Sequence, residues 1–146
     1  AIGQSFTPWF AAGETSERDK EIVRALLQAS GEEAEVSLES HIDYCVGFTG
    51  SGAAFPALLA EALVSHAVSH GIPREFAERA ARKVVSGASQ LFAGPDGDTG
   101  AIVKEMIDYR GVVAAALQAM LDQGFMAAVS SGLDAASAKA ATIAGA

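Results

Sequence analysis

Cysteine is almost missing. Cys45 stands alone among 146 residues, so no internal disulfide can form and a reducing, cytoplasmic setting is expected. Basic residues are scarce too: 10 Lys and Arg face 18 Asp and Glu, a formal net charge of -8. No run of Lys or Arg offsets this locally, so the chain would repel a phosphate backbone and no nucleic-acid partner is expected. The sequence has no uninterrupted apolar stretch of roughly 20 residues and no charged segment leading into an apolar one, so neither a membrane partner nor a signal peptide is expected. The opening AIGQSFTPWF lacks both a starter methionine and a helix-start pattern, which makes the chain read as an internal segment of a longer one.

What is abundant is apolar surface. Half of the residues, 50%, are hydrophobic, enough for one domain with its own core. Ser16 is placed to cap a helix reaching about Ser30, with Asp19 as a capping-box acid and Ile22, Val23, Leu26 and Leu27 as its apolar stripe, closed by Gly31. A short strand-like run, AEVSL, follows, and Ser40 caps a helix through Ile42, Tyr44, Cys45 and Val46 that ends at Thr49 to Gly52. Ala53 to His70 is apolar nearly all round and stops at Gly71. Pro73 starts the next helix, which reaches about Ala93, with Arg74, Glu75, Glu78, Arg79, Arg82 and Lys83 on a solvated face and Phe76, Ala80, Val84, Gly87, Ala88 and Leu91 opposite. GPDGDTG, Gly94 to Gly100, reads as a turn-rich linker. Two more helices follow, from about Val112 to Gln123, stopped by Gly124, and from Phe125 into the Ala-rich tail. The pattern is predominantly α, with no fixed-period repeat.

Small residues, Ala57, Ala60, Ala67, Ala80, Ala81 and Ala114 among them, recur along these helices and let axes approach closely. A helix such as 53–70 has no solvent side to show, so a homodimer, with interleaved helices, is expected to bury it.

The order and spacing of several motifs carry a resemblance. Gly50, Ser51, Gly52, Ala54 and Phe55 are followed by Glu61, Ala62 and Leu63, then by Gly71, Ile72, Pro73 and Arg74. This stretch resembles the start of the C-terminal domain of pyrroline-5-carboxylate reductase, where a Ser-Gly-Ser-Gly-Pro-Ala-Tyr turn opens a long helix containing Glu-Ala-Leu and a Gly-Leu-Pro-Arg junction begins the next. QAMLDQGF, Gln118 to Phe125, is similar to the family's ending before Gly-Phe, and SFTP to its Asn-Thr-Pro, with Phe6 in place of the Asn. The resemblance implies an all-α helical bundle of the 6-phosphogluconate-dehydrogenase C-terminal-like type. Residues 1–39 would be the residual end of a cofactor domain with its connecting helix, and 40–146 a helical dimerisation and substrate domain. It further implies an NAD(P)H-dependent reductase of a small cyclic imino acid, of the proline-biosynthesis type, with NADPH or NADH bound by a Rossmann domain that this chain lacks. No Gly-x-Gly-x-x-Gly follows a strand here, so no cofactor-binding residue is expected in this chain and the chain alone is expected to be inactive. The region between Pro8 and Ser16 is shorter than the family's, as if its last cofactor-domain strand were absent or disordered. The alternative reading is a non-catalytic helical dimerisation module.

The stretch EMIDYRGVVAAAL, residues 105 to 117, interrupts the helical pattern with a Gly beside an Arg and two β-branched residues, and reads as a short loop feeding a new helix. In the family the loop is Ser-Pro-Gly-Gly-Thr-Thr, whose amides and hydroxyls contact the substrate carboxylate. The matching residues here are Asp108, Tyr109, Arg110, Gly111, Val112 and Val113, so one Gly is kept and both hydroxyls have become methyls. Substrate binding is assigned by this resemblance to Glu105, Arg110, Gly111, Val112 and Val113. Arg110 can replace the lost donors by gripping a carboxylate, and the Tyr109 hydroxyl can act as the catalytic proton donor. The plain alternative is that Arg110 pairs with Asp108 or Glu105 at a solvated helix end.

Three other features have ordinary readings beside tempting ones. His66 and His70 have the spacing of a zinc pair but no third ligand patterned nearby, so no metal is expected. Glu61, the lone acid of an apolar helix, reads as a substrate-side group or as a structural hydrogen-bond partner. Cys45 has no base beside it and reads as a small buried hydrophobe.

Overall fold

Side-chain caps and left-handed turn residues set several element ends in this computed structural model, which describes residues 5–90 and 98–144. Seven helices and two strands form among these residues, in two units: Ala1–Gly52 with Val129–Ala146, and Ala53–Ala128. The architecture is the expected helical one with a small parallel sheet added.

In the first unit β1 (Ser5–Trp9), α1 (Glu17–Gln28) and β2 (Gly31–Glu35) make a β-α-β turn of chain, with the strands parallel and in register from Ser5 opposite Gly31 to Trp9 opposite Glu35. The shortened region between Pro8 and Ser16 joins β1 to α1, and a second strand follows that helix. Pro8 is tolerated because Ser5 N donates to Ser30 O and Trp9 O accepts from Val36 N, so the odd-numbered residues of β1 face the ladder and Pro8 faces away. β2 lies earlier than the apolar run AEVSL suggested. Two of its three acids are held by side chains: Glu33 accepts from Trp9 Nε1 at 2.6 Å and Gln28 Nε2 at 3.2 Å, and Glu35 from Lys20 at 2.7 Å and Arg24 at 3.0 Å. These contacts override the low strand propensity of glutamate.

Ser16 caps α1 as expected, its hydroxyl accepting from Asp19 N at 3.2 Å. The Asp19 carboxylate returns to the Ser16 hydroxyl at 2.6 Å rather than to its backbone amide, so the capping box is modified. Gly31 does not close this helix; it opens β2 at φ 155, where a methyl would overlap the Ser5 backbone. Ile22 and Leu26 of the α1 stripe remain 51% and 70% exposed, because a two-stranded sheet is too narrow to cover them. α2 (Ser40–Phe48) starts at the expected cap residue itself, with Glu39 one position earlier at the N-cap and no side-chain bond there. Gly47 is buried where an added Cβ would lie 2.8 Å from Ala136 Cβ in α7 (Phe125–Ala144), so glycine permits that approach. Cys45 is half-buried and unpaired.

In the second unit α3 (Ala54–Ser69) and α4 (Arg74–Ser89) form a hairpin. Gly71, at φ 83, makes the turn: Ile72 N donates to Ala67 O and Gly71 N to Val68 O, the paired bonds of a Schellman motif. Pro73 sits at the N-cap of α4, one position ahead of the first turn. The buried face of α4 is Ala77 and Ala81 against Val64, Ala60, Ala67 and Val68, not the Phe76, Ala80, Val84 stripe that hydrophobicity favoured. Small side chains win because they let the two axes close up. Phe76 and Val84 are left 64% and 59% exposed.

The expected linker Gly94 to Gly100 lies outside the described residues up to position 97, as does the expected end of the α4 segment. Its last residues instead start a helix absent from the sequence reading, α5 (Thr99–Asp108), capped by the Asp98 carboxylate accepting from Ala101 N at 3.0 Å. α6 (Val112–Asp122) packs on α5 and stops at Gly124, φ 84, as expected. Among the described residues no single helix is long and apolar enough to cross a membrane.

Candidate functional site

The loop between α5 and α6 is only three residues long, Tyr109 to Gly111. Glu105 to Asp108, read from sequence as part of the interruption, are the last turn of α5. Tyr109 N donates to Glu105 O at 3.1 Å and Arg110 N to Ile107 O at 3.0 Å, so the chain leaves the helix in one step. Arg110 takes the left-handed conformation, φ 55, and is the one non-glycine residue to do so among the described residues. That is the place where a helix end normally puts Gly, because a Cβ costs energy there. Gly111, by contrast, is extended at φ -87 and needs to be Gly only because a Cβ would press on the Tyr109 ring at 3.1 Å.

The site residues therefore come together along one short segment. Gly111 is the N-cap of α6 and provides no side-chain bond, and the first turn of α6 carries no acid. The leading amides of α6 thus have no anionic side chain of their own helix against them, and their dipole favours a negative group. Tyr109 is 86% exposed and Val112 90%, with Val113 also exposed. Lys104 holds Asp108 one turn along α5, while neither Asp108 nor Glu105 forms an ion pair with Arg110 among the described residues. The plain alternative for Arg110, a local ion pair, is not what the side chains do. Glu105 is exposed on α5 and makes no side-chain hydrogen bond among those found.

Elsewhere, the rings of His66 and His70 stack at 4.3 Å, with His70 Nδ1 3.0 Å from His66 O. No group of three or more His, Cys, Asp or Glu placed to hold a metal occurs among the described residues. Glu61 accepts a bond from Ser65 on its own helix at 3.1 Å rather than reaching a neighbouring helix end. Sequence reasoning missed Asp98, whose position ahead of Thr99 and a new apolar period was the available start signal. It also missed the strain at Arg110, for which a lone Arg before Gly gives no signal.

The sequence model of the pyrroline-5-carboxylate reductase dimerisation family matches residues 39–143. Pyrroline-5-carboxylate reductase 3 of Rattus norvegicus is 30% identical over 122 residues, spanning 84% of this chain and 44% of that protein. The pyrroline-5-carboxylate reductase of Pseudomonas aeruginosa is 28% identical over 143 residues, 98% of this chain and 52% of the relative. Among solved structures, a pyrroline-5-carboxylate reductase from Coxiella burnetii superposes with a TM-score of 0.86 at 23% identity, over 97% of this chain and 52% of that one. The Plasmodium falciparum pyrroline carboxylate reductase, solved with NADP bound, gives 0.76 at 20% identity, over 95% and 53%. The chain thus spans about half the length of these relatives.

Proposed function

Because this chain belongs to the pyrroline-5-carboxylate reductase dimerisation family, we propose that it is the dimerisation and substrate-binding half of an NAD(P)H-dependent imine reductase. In that reading residues 1–39 are the end of the cofactor domain and 40–146 the substrate domain. The observation that carries the site is the α5–α6 loop, an exposed helix start without its own acid, flanked by a cation that has no ion-pair partner among the described residues. The carboxylate of a cyclic imino acid would rest on the α6 amides beside Gly111, gripped by the Arg110 guanidinium. The Tyr109 hydroxyl would give its proton to the imine nitrogen, while Val112 and Val113 wall the ring and Glu105 stands ahead of the loop. The reduced nicotinamide, when bound by a full-length protein, supplies hydride to the imine carbon.

The reading places NADPH or NADH on another domain and not on these residues by themselves. The described part holds two parallel strands and the sequence has no Gly-x-Gly-x-x-Gly turn to seat a pyrophosphate. Calorimetric titration of the isolated chain should give no saturable binding of either nucleotide. Saturation at micromolar concentration would refute the assignment of the cofactor to another domain.

The homodimer belongs to the same reading. Leu58, Leu63, Phe76 and Val84 all stay exposed in one copy, and no side chain of the described residues is fully buried. Covering such surface at about 25 cal/mol per Å² supplies association free energy on the order of 10 kcal/mol before entropic costs. Sedimentation equilibrium should find a dimer, and a stable folded monomer at low micromolar concentration would refute it. A cytoplasmic setting, supported by the single cysteine, completes the reading.

A second reading, a helical dimerisation module without catalysis, is favoured by one observation: both loop hydroxyls of the family pattern are valine methyls here. Reduction of pyrroline-5-carboxylate by the full-length protein separates the two.

A further inference from the structure

Four of the chain's cations are held by carboxylates: Lys20 and Arg24 by Glu35, Arg74 by Glu78 and Lys104 by Asp108. α4 then carries three more, Arg79, Arg82 and Lys83, that have no carboxylate within ion-pair distance among the described residues. They sit at i, i+3 and i+4, so they share one side of the helix and repel one another. With Phe76, Ala80 and Ser86 they line an open concavity of about 570 Å³. Phe76 and Ala80 also line a second hollow, of about 250 Å³, between α3 and α4, whose wall is apolar and includes Leu63, Ile72 and Val84. The cationic stripe is therefore the rim of the uncovered apolar groove.

The same hairpin carries the matching deficit. Glu61 is the lone acid of α3, and its one polar contact is the Ser65 hydroxyl. It stands one turn from Leu58, an exposed leucine that a second copy has to cover if the chain dimerises. A carboxylate moved from water into such a surface needs a cation, and its own copy provides none. Two-fold symmetry makes a pair of this kind self-complementary, because whatever one copy offers is received twice.

We propose that, in the homodimer, Glu61 of each copy pairs with the Arg79, Arg82 and Lys83 stripe of the partner copy's α4. The inference rests on the homodimer reading and adds to it a charge lock between the flank of α3 that carries Leu58 and the partner's α4. The lock sets register and makes association sensitive to salt.

A charge swap in the full protein tests it. Glu61→Arg, and separately the triple reversal Arg79→Glu, Arg82→Glu, Lys83→Glu, should each weaken self-association by about tenfold or more. Circular dichroism should show unchanged helix in both, since all four side chains are solvated in one copy. Mixing the two variants restores opposite charges at both symmetry-related contacts, so native mass spectrometry should show heterodimers well above the statistical fraction. A wild-type dimer with variants that self-associate as tightly as it does, or that mix at random, overturns the pairing and leaves the dimer standing. A monomeric wild type overturns both.

Discussion

Lys104 holds the Asp108 carboxylate across one turn of α5, and this pairing takes away the nearest acid that Arg110 was expected to meet. The guanidinium is left on a left-handed residue at φ 55, two positions before an exposed valine, with no carboxylate paired to it among the described residues. A non-glycine residue in this backbone conformation costs stability, which makes Arg110 the residue at which to test the proposed ligand contact.

Stability and binding should accordingly move in opposite directions at this position. Arg110→Gly removes a left-handed Cβ and is expected to stabilise the fold by about 1 kcal/mol, read from thermal or urea unfolding. In the full-length protein the same change should raise the KM for a cyclic imino acid by roughly ten- to hundredfold, as loss of a charge-assisted contact does. Unchanged kcat/KM in a measurably active parent would make Arg110 a surface residue.

Restoring the lost hydroxyls should help the reaction. The double change Val112→Thr and Val113→Thr is expected to raise kcat/KM toward pyrroline-5-carboxylate in the full-length protein. Its folding cost should be small, because both valines are exposed. Lower activity in steady-state assays would show that the methyls were selected for another substrate.

Gly31 should tolerate nothing larger. It combines φ 155 with a position where a Cβ would run into the Ser5 carbonyl and amide. Gly31→Ala is expected to cost about 3 kcal/mol or more, since backbone rather than a flexible side chain must yield. Chemical denaturation reads this directly. Gly71→Ala, with a positive φ but open space around it, is the matched control and should cost less.

The first unit should lose stability at both pH extremes through one ion pair. The hydrogen bond from Lys20, partly opposed by burial, holds the Glu35 carboxyl below its usual range, and the same bond holds Lys20 above its own. A lowered carboxylate contributes fully above its unfolded value of about 4.3 and ceases to contribute as pH falls through its folded value. A raised lysine contributes below about 10.4 and ceases to contribute as pH rises through its folded value. Glu35→Gln should flatten both limbs of the unfolding midpoint against pH. An unaltered acid limb would mean that other carboxylates govern it.

Much of this was written in local chemistry. Ser16, Gly71 and Gly124 fix helix ends through single residues and their immediate neighbours, and the apolar circumference of residues 54–69 announces a surface in need of a partner. The ordered motifs from Gly50 to Phe125 identified the family, because a turn, an apolar helix and a Pro-led helix start each need particular residue types at fixed spacing. Tertiary structure decided the rest. Whether α4 buries Phe76 or Ala77 depends on how closely α3 approaches, which hydrophobicity alone does not encode. β2 formed on glutamates because Trp9, Gln28, Lys20 and Arg24 converge on them from other segments. Arg110 lost Asp108, one of its two expected acids, because Lys104 reached that carboxylate from the preceding turn. Each of these outcomes turns on competition between side chains for one partner, and only the folded backbone sets the distances that decide it.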